Sequence, residues 1–104
     1  MAIKYGLHGK LSASNGNGKK LADILLKAAE MLKTASGCHL YAISHDSTNP
    51  DDIWVTEIWD SKEDHDDSLK NENIRNLIVQ AMPLLAGQPE KGQELQVLGG
   101  LGVH

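Results

Sequence analysis

The chain has 104 residues, enough for one sheet layer covered by helices and too few for two independent cores. With 40% hydrophobic and 23% charged residues it has the composition of a folded domain, and its net charge of -4 with ten scattered Lys and Arg gives no basic stripe to hold nucleic acid. Cys38, the single cysteine, excludes an internal disulfide; no stretch has the length of a membrane span, and the N-terminus lacks the apolar run of a signal peptide, so the cytoplasm is the expected compartment and a membrane is not an expected partner.

Ile3 to Leu11 alternates apolar with polar or small residues, with Ile3, Tyr5, Leu7 and Leu11 on one side and Lys4, His8 and Lys10 on the other, the pattern of a half-buried strand. Ser12 to Gly18 is a polar turn. Its Gly16-Asn17-Gly18 lacks the Gly-Lys-Ser or Gly-Lys-Thr that a phosphate loop needs. From Lys19 the spacing of Leu21, Ile24, Leu25, Ala28 and Leu32 predicts an amphipathic helix that covers a sheet. Gly37 closes the connection, and Cys38 to His45 reads as a second strand with Tyr41 and Ile43 on one face. Asp46 to Asp52, with Asn49-Pro50, is turn-forming and joins it in an antiparallel hairpin to a third strand, Ile53 to Trp59.

In that third strand Ile53, Val55, Glu57 and Trp59 share a face. Ser61 follows as an N-cap with Asp64 three residues on, and Glu63 and Asp64 set negative charge in the first turn, which places His65 one turn inside a helix. A break at Asn71 to Asn73 precedes a second covering helix carrying Ile74, Leu77, Ile78, Ala81 and Leu85; Pro83 should tighten its last turn, and Gly87 with Pro89 should stop it. Glu94 to Leu98 supplies a fourth strand. Gly99-Gly100-Leu101-Gly102 precedes no helix, which excludes a dinucleotide fingerprint.

The order strand, helix, strand, strand, helix, strand predicts an α+β, ferredoxin-like βαββαβ sandwich in one domain spanning residues 1–104, with its helices on one sheet face. Ile3, Tyr5, Leu7, Leu11, Ile43, Leu95 and Val97 exceed what two helices can cover, so the open face is expected to pack against a second copy in a homodimer.

The Tyr5-to-Gly9 strand, Gly37-Cys38-x-x-Tyr41, Trp54-Val55-x-Glu57-x-Trp59 leading into Ser61 and His65, and Met82-Pro83-Leu84-Leu85 together resemble the antibiotic biosynthesis monooxygenase family, particularly its quinol monooxygenases. The resemblance covers nearly the whole chain. It implies a dimeric α/β barrel with a cleft in each subunit, and oxygenation of quinols or related phenols by dioxygen without flavin, haem or metal as cofactor. One branch of the fold degrades haem, using a Trp and a His where this chain has Ser68 and Ile78, which disfavours that branch. Another isomerises a small phosphorylated signalling metabolite and keeps a helix histidine like His65; a non-catalytic binding or detoxification protein is the alternative of a different class.

A histidine titrates at about pH 6.5 in its ordinary state, which suits His65 to take a phenolic proton as general base. The other reading of His65 is a solvated surface residue in the acidic run from Glu63 to Asp67. Glu57, on a covered strand, needs a hydrogen-bonding partner or a polar cavity, and could orient His65, hold a substrate hydroxyl, or serve structure alone. Trp59 offers a flat wall for an aromatic ring or is simply core, and Tyr41 and Tyr5 are similar cases. His8, His39, His45 and His104 lack ligand spacing, so no metal site is expected. Cys38 reads as a small buried hydrophobe, and Lys62 and Lys70, which could bind an anionic substrate, as ordinary helix-surface cations.

Overall fold

A computed structural model of the chain describes residues 3–103, which leaves His104 outside the described residues. Four strands, β1 (Lys4–Ser12), β2 (Cys38–His45), β3 (Asp52–Trp59) and β4 (Gln93–Val97), form one antiparallel sheet in the order β2-β3-β1-β4. Helix α1 (Gly18–Met31) connects β1 to β2, and α2 (Lys62–Ser68) and α3 (Glu72–Ala81) connect β3 to β4. This is the ferredoxin-like α+β arrangement that the sequence predicts, with the second helical segment divided at the expected break before Glu72.

The division has a local cause. Asn71 is extended, and its side-chain oxygen accepts from the backbone N–H groups of Asn73 and Ile74, so it ends one helix path and caps the next. Ser61 caps α2 in the expected way, accepting from Asp64 N–H at 3.1 Å. The cap of α1 comes from elsewhere: Asp51, in the loop before β3, accepts from Gly16 N–H at 3.0 Å and Gly18 N–H at 2.9 Å. Gly18 packs so closely on Pro50 and Asp51 that a Cβ there would collide with them. The glycine turn therefore has a carboxylate of its own chain where a phosphate loop would hold its ligand.

Helix α3 ends earlier than the apolar spacing suggests. Pro83 sits in a tight 3-10 turn, Met82–Leu84, and Leu85 is already extended, bridged to Ala13. A proline has no amide hydrogen to continue the helical ladder, so the chain leaves the helix there rather than at Gly87 and Pro89.

The helices cover the face of the sheet that carries Ile53, Val55, Glu57 and Trp59, each of them buried. The register sets Tyr5 opposite Trp59, Leu7 opposite Glu57, Leu11 opposite Ile53 and Ile43 opposite Val55. Residues that face each other across a ladder share a sheet face, so Tyr5, Leu7, Leu11 and Ile43 lie under the helices and not on the open face as expected. All four are half-buried there, and Tyr5, Leu11 and Ile43 pack against the helix-side core. Leu95 and Val97 do lie on the open face, opposite Gly6 and Lys4, together with His8, whose ring stacks on Trp54 at 4.9 Å. The core has two centres on the helix side, one around Trp59, Leu32, Ile74 and Leu77 and one around Leu21, Ile53 and Ala81. Among the described residues no helix is long and apolar enough to cross a membrane.

Candidate active site

Between the sheet and α1, α2 and α3 lies a cavity of about 250 Å3. Its walls are aliphatic, with Leu25, Ala28, Ile74, Leu77 and Ile78 from the helices and Leu11 from β1. Its polar groups are few: Tyr41 from β2, Glu57 from β3, and His65 and Ser68 from α2. An apolar chamber with a few convergent polar groups is the usual form of a small-molecule site. A second lobe of about 230 Å3 shares Tyr41, Glu57 and Ile78 and reaches Lys10, Glu90 and Gly92.

The local sequence explains why these groups meet. The period of two along β3 turns Glu57 and Trp59 to the helix side, and the short link through Asp60 and Ser61 folds α2 back over the end of that strand. One helical turn then carries His65 over Glu57. The ring of His65 rests 5.8 Å from Trp59 in an edge-on arrangement and 5.7 Å from Tyr5, and its side chain is only 14% exposed. It is therefore not a solvated surface histidine.

His65 Nε2 stands 3.8 Å from Glu57 Oε1, beyond direct hydrogen-bond reach and close enough for both atoms to hold one ligand atom between them. His65 Nδ1 lies 2.9 Å from Asp66 Oδ1. Trp59 donates its indole N–H to Glu57 Oε1 at 3.0 Å. Burial pushes the Glu57 carboxyl up from its ordinary value, while the Trp59 hydrogen bond and the charge of His65 pull it down. Burial, with the Glu57 charge adding to it, raises the Tyr41 hydroxyl as well, so that it stays protonated and can only make hydrogen bonds. The Tyr5 hydroxyl donates to Glu94 at 3.0 Å, and burial followed by that bond pushes it up to about 12. Lys62 closes this outer chain, 3.3 Å from Glu94.

Of the residues singled out in the sequence, His65, Glu57 and Tyr41 line one cavity. Trp59 does not. Its ring has no exposure and serves as core and as donor to Glu57, because Trp59 is the last residue of β3 and lies beneath α2 instead of beside the chamber. Asp66, Ser68 and Glu94 are functional candidates that sequence reasoning missed, and the link of Tyr5 to Lys62 through Glu94 was not foreseen; the adjacency of His65 and Asp66 was the one available signal. His8, His39 and His45 lie apart, and among the described residues no group of three or more His, Cys, Asp and Glu could hold a metal ion. Burial raises the Cys38 thiol, which suits an inert side chain. Lys70 pairs with Asp67 on the surface of α2.

Comparison with known proteins follows the same line. The family model for antibiotic biosynthesis monooxygenase matches residues 5–79. A solved structure from Chloroflexus aurantiacus, described as a "putative antibiotic biosynthesis monooxygenase", is 36% identical over 97% of this chain and 99% of its own, with a TM-score of 0.86. Structures so described from Nitrosomonas europaea (13% identity, 94% of this chain and 93% of that one, TM-score 0.86) and Caulobacter crescentus (17%, 93% and 92%, TM-score 0.84) share the fold. Among curated proteins none matches at a significant level.

Proposed function

The chain belongs to the antibiotic biosynthesis monooxygenase family, and from that premise we propose that it is a monooxygenase that uses no cofactor and acts on a quinol or related phenolic small molecule. The observation that carries this reading is the pairing of His65 Nε2 and Glu57 Oε1, 3.8 Å apart, at the polar end of an otherwise aliphatic cavity. A hydroxyl between those two atoms can give its proton to His65 while the ring it belongs to lies against the aliphatic walls. Drug-sized ligands fill pockets of ~300–1,000 Å3, so a chamber of about 250 Å3 fits a substrate of one or two fused rings.

His65 acts first as general base. The resulting phenolate is electron-rich and passes an electron to dioxygen, and the radical pair combines to bond oxygen to the ring. Cleavage of the O–O bond leaves one oxygen atom on the ring. The other leaves as water, whose two hydrogens come from the substrate, with His65 returning the proton it took. The quinol supplies the reducing equivalents itself and ends as a hydroxyquinone. Glu57, as a carboxylate beside Nε2, balances the imidazolium formed in the first step, and Tyr41 offers a neutral hydroxyl that can donate to the substrate oxygen.

The open sheet face, with the stacked His8 and Trp54 and the exposed Leu40 and Leu95, supports assembly as a homodimer, two sheets closing on each other as a dimeric barrel. Oxygen consumption with a panel of hydroquinones and naphthohydroquinones, corrected for autoxidation, tests the activity. Saturable uptake that disappears in His65→Ala is the expected result. No uptake above background with any of them would overturn it, and substrate loss without oxygen loss would point to isomerase chemistry in the same cavity.

A further inference from the structure

Resting on the reading of His65 as the base, we infer that Asp66 is a positioning residue that decides which nitrogen of His65 faces the substrate. A neutral imidazole carries one N–H donor and one acceptor nitrogen, and an ionised carboxylate can only accept. With Asp66 Oδ1 2.9 Å from Nδ1, the proton belongs on Nδ1, and the lone pair belongs on Nε2. Nε2 is the nitrogen turned toward Glu57 and the cavity. Glu57 does not compete for the proton through a hydrogen bond, since 3.8 Å is too long for one.

The ring is held in this orientation from several sides. Tyr5 on β1 and Trp59 on β3 flank it at 5.7 and 5.8 Å, and Ser68 ties down the helical turn by donating to the His65 carbonyl at 2.6 Å. The titratable groups that face it are Asp66 on its own helix, Glu57 on β3 and Tyr5 on β1, with Glu94 of β4 behind the Tyr5 hydroxyl. When Nε2 takes the substrate proton, the imidazolium stands between Asp66 at Nδ1 and Glu57 at Nε2, so its charge is balanced on both sides while Nε2 keeps the proton that must be returned. Without Asp66, nothing on α2 favours Nδ1–H, and an Nε2–H imidazole would present a donor where the reaction needs an acceptor.

The tautomer is read directly from long-range 1H–15N correlations of the histidine rings in uniformly labelled protein above the imidazole titration, and this measurement needs no substrate. The wild type is expected to show Nδ1–H at His65, and Asp66→Ala to move it toward Nε2–H. Asp67→Ala, which removes the neighbouring exposed carboxylate, is expected to change nothing. With a turnover assay in hand, Asp66→Ala is expected to lower kcat about 10-fold or more at little changed KM. An Nε2–H tautomer in the wild type, or an unchanged Nδ1–H tautomer in Asp66→Ala, overturns the inference. The expected tautomers in a protein that consumes no oxygen uphold the positioning by Asp66 and overturn the monooxygenase reading alone.

Discussion

Trp59 donates its indole N–H to Glu57 Oε1 at 3.0 Å, the same oxygen that stands 3.8 Å from His65 Nε2. One buried side chain thereby holds the carboxylate that faces the base, and does so from outside the cavity. A carboxylate buried without a donor would be costly, so the bond serves stability and site geometry together.

Trp59→Phe should therefore act on both. The variant keeps an aromatic ring but leaves Glu57 without its donor and opens a small void beside Leu32 and Leu77. Urea unfolding should show a loss of at least about 1.5 kcal/mol, the low end for a hydrogen bond to a charged group. Because that bond pulls the Glu57 carboxyl down, its loss should raise the carboxyl further and lower turnover as well.

Glu57→Gln should change how stability depends on pH. Burial raises the Glu57 carboxyl in the folded state above its ordinary value of 4.5, so the native protein binds this proton more tightly than the unfolded chain does. The contribution to stability is fully present below that ordinary value and is lost as pH rises through the higher native one. Gln keeps an acceptor for Trp59 and cannot ionise. The variant should thus gain stability relative to the wild type at about pH 7 and lose that advantage near about pH 4. Unfolding curves of both proteins at the two pH values check this, and taking the difference cancels the opposite contributions of Asp46, Asp60 and Glu94, which are all lowered.

The periodic patterns made the fold legible. Strand β2 spans Cys38–His45 as the sequence predicts, and Ile53 to Trp59 alternates because every second residue is buried. The Ser61 cap placed His65 correctly, since capping depends on residues three apart. Sheet sidedness was harder to read. Tyr5, Leu7 and Leu11 form a stripe with the right period, but which face the stripe takes depends on the register with β3, which no single strand reveals. The cavity was hidden for a similar reason: Ile74 and Leu77 look like any apolar helix face, and only the packing of α1 against α3 shows that a space remains beneath them. Trp59 was misjudged as a cavity wall because alternation tells that a residue points to the helix side and not whether a helix sits on top of it.

Asp51→Ala should lower stability without touching the site. The Asp51 carboxylate accepts from Gly16 and Gly18 at the start of α1, and Asn17, in the usual cap position, makes no side-chain cap bond there. Loss of a cap costs about 0.5–2 kcal/mol, and that is the range expected in thermal or urea unfolding. Oxygen uptake by the folded variant should stay at the wild-type level, because Asp51 does not line the cavity.

Tyr41→Phe separates binding from proton transfer. Tyr41 lines the cavity from β2, the strand on the far side of Glu57 from β1, and burial keeps its hydroxyl protonated. It can hold a substrate oxygen and cannot act as the base at any working pH. A neutral hydrogen bond contributes about 0.5–1.5 kcal/mol, so its removal should raise KM by roughly 2- to 10-fold. The shape of the pH–rate profile should stay as in the wild type, since the proton goes to His65 in both proteins. The fold should tolerate the change, because the ring that packs against Trp59 and its neighbours is retained. A collapse of kcat with KM unchanged would instead make Tyr41 a participant in the chemical step, and would move the reacting hydroxyl away from the gap between His65 and Glu57.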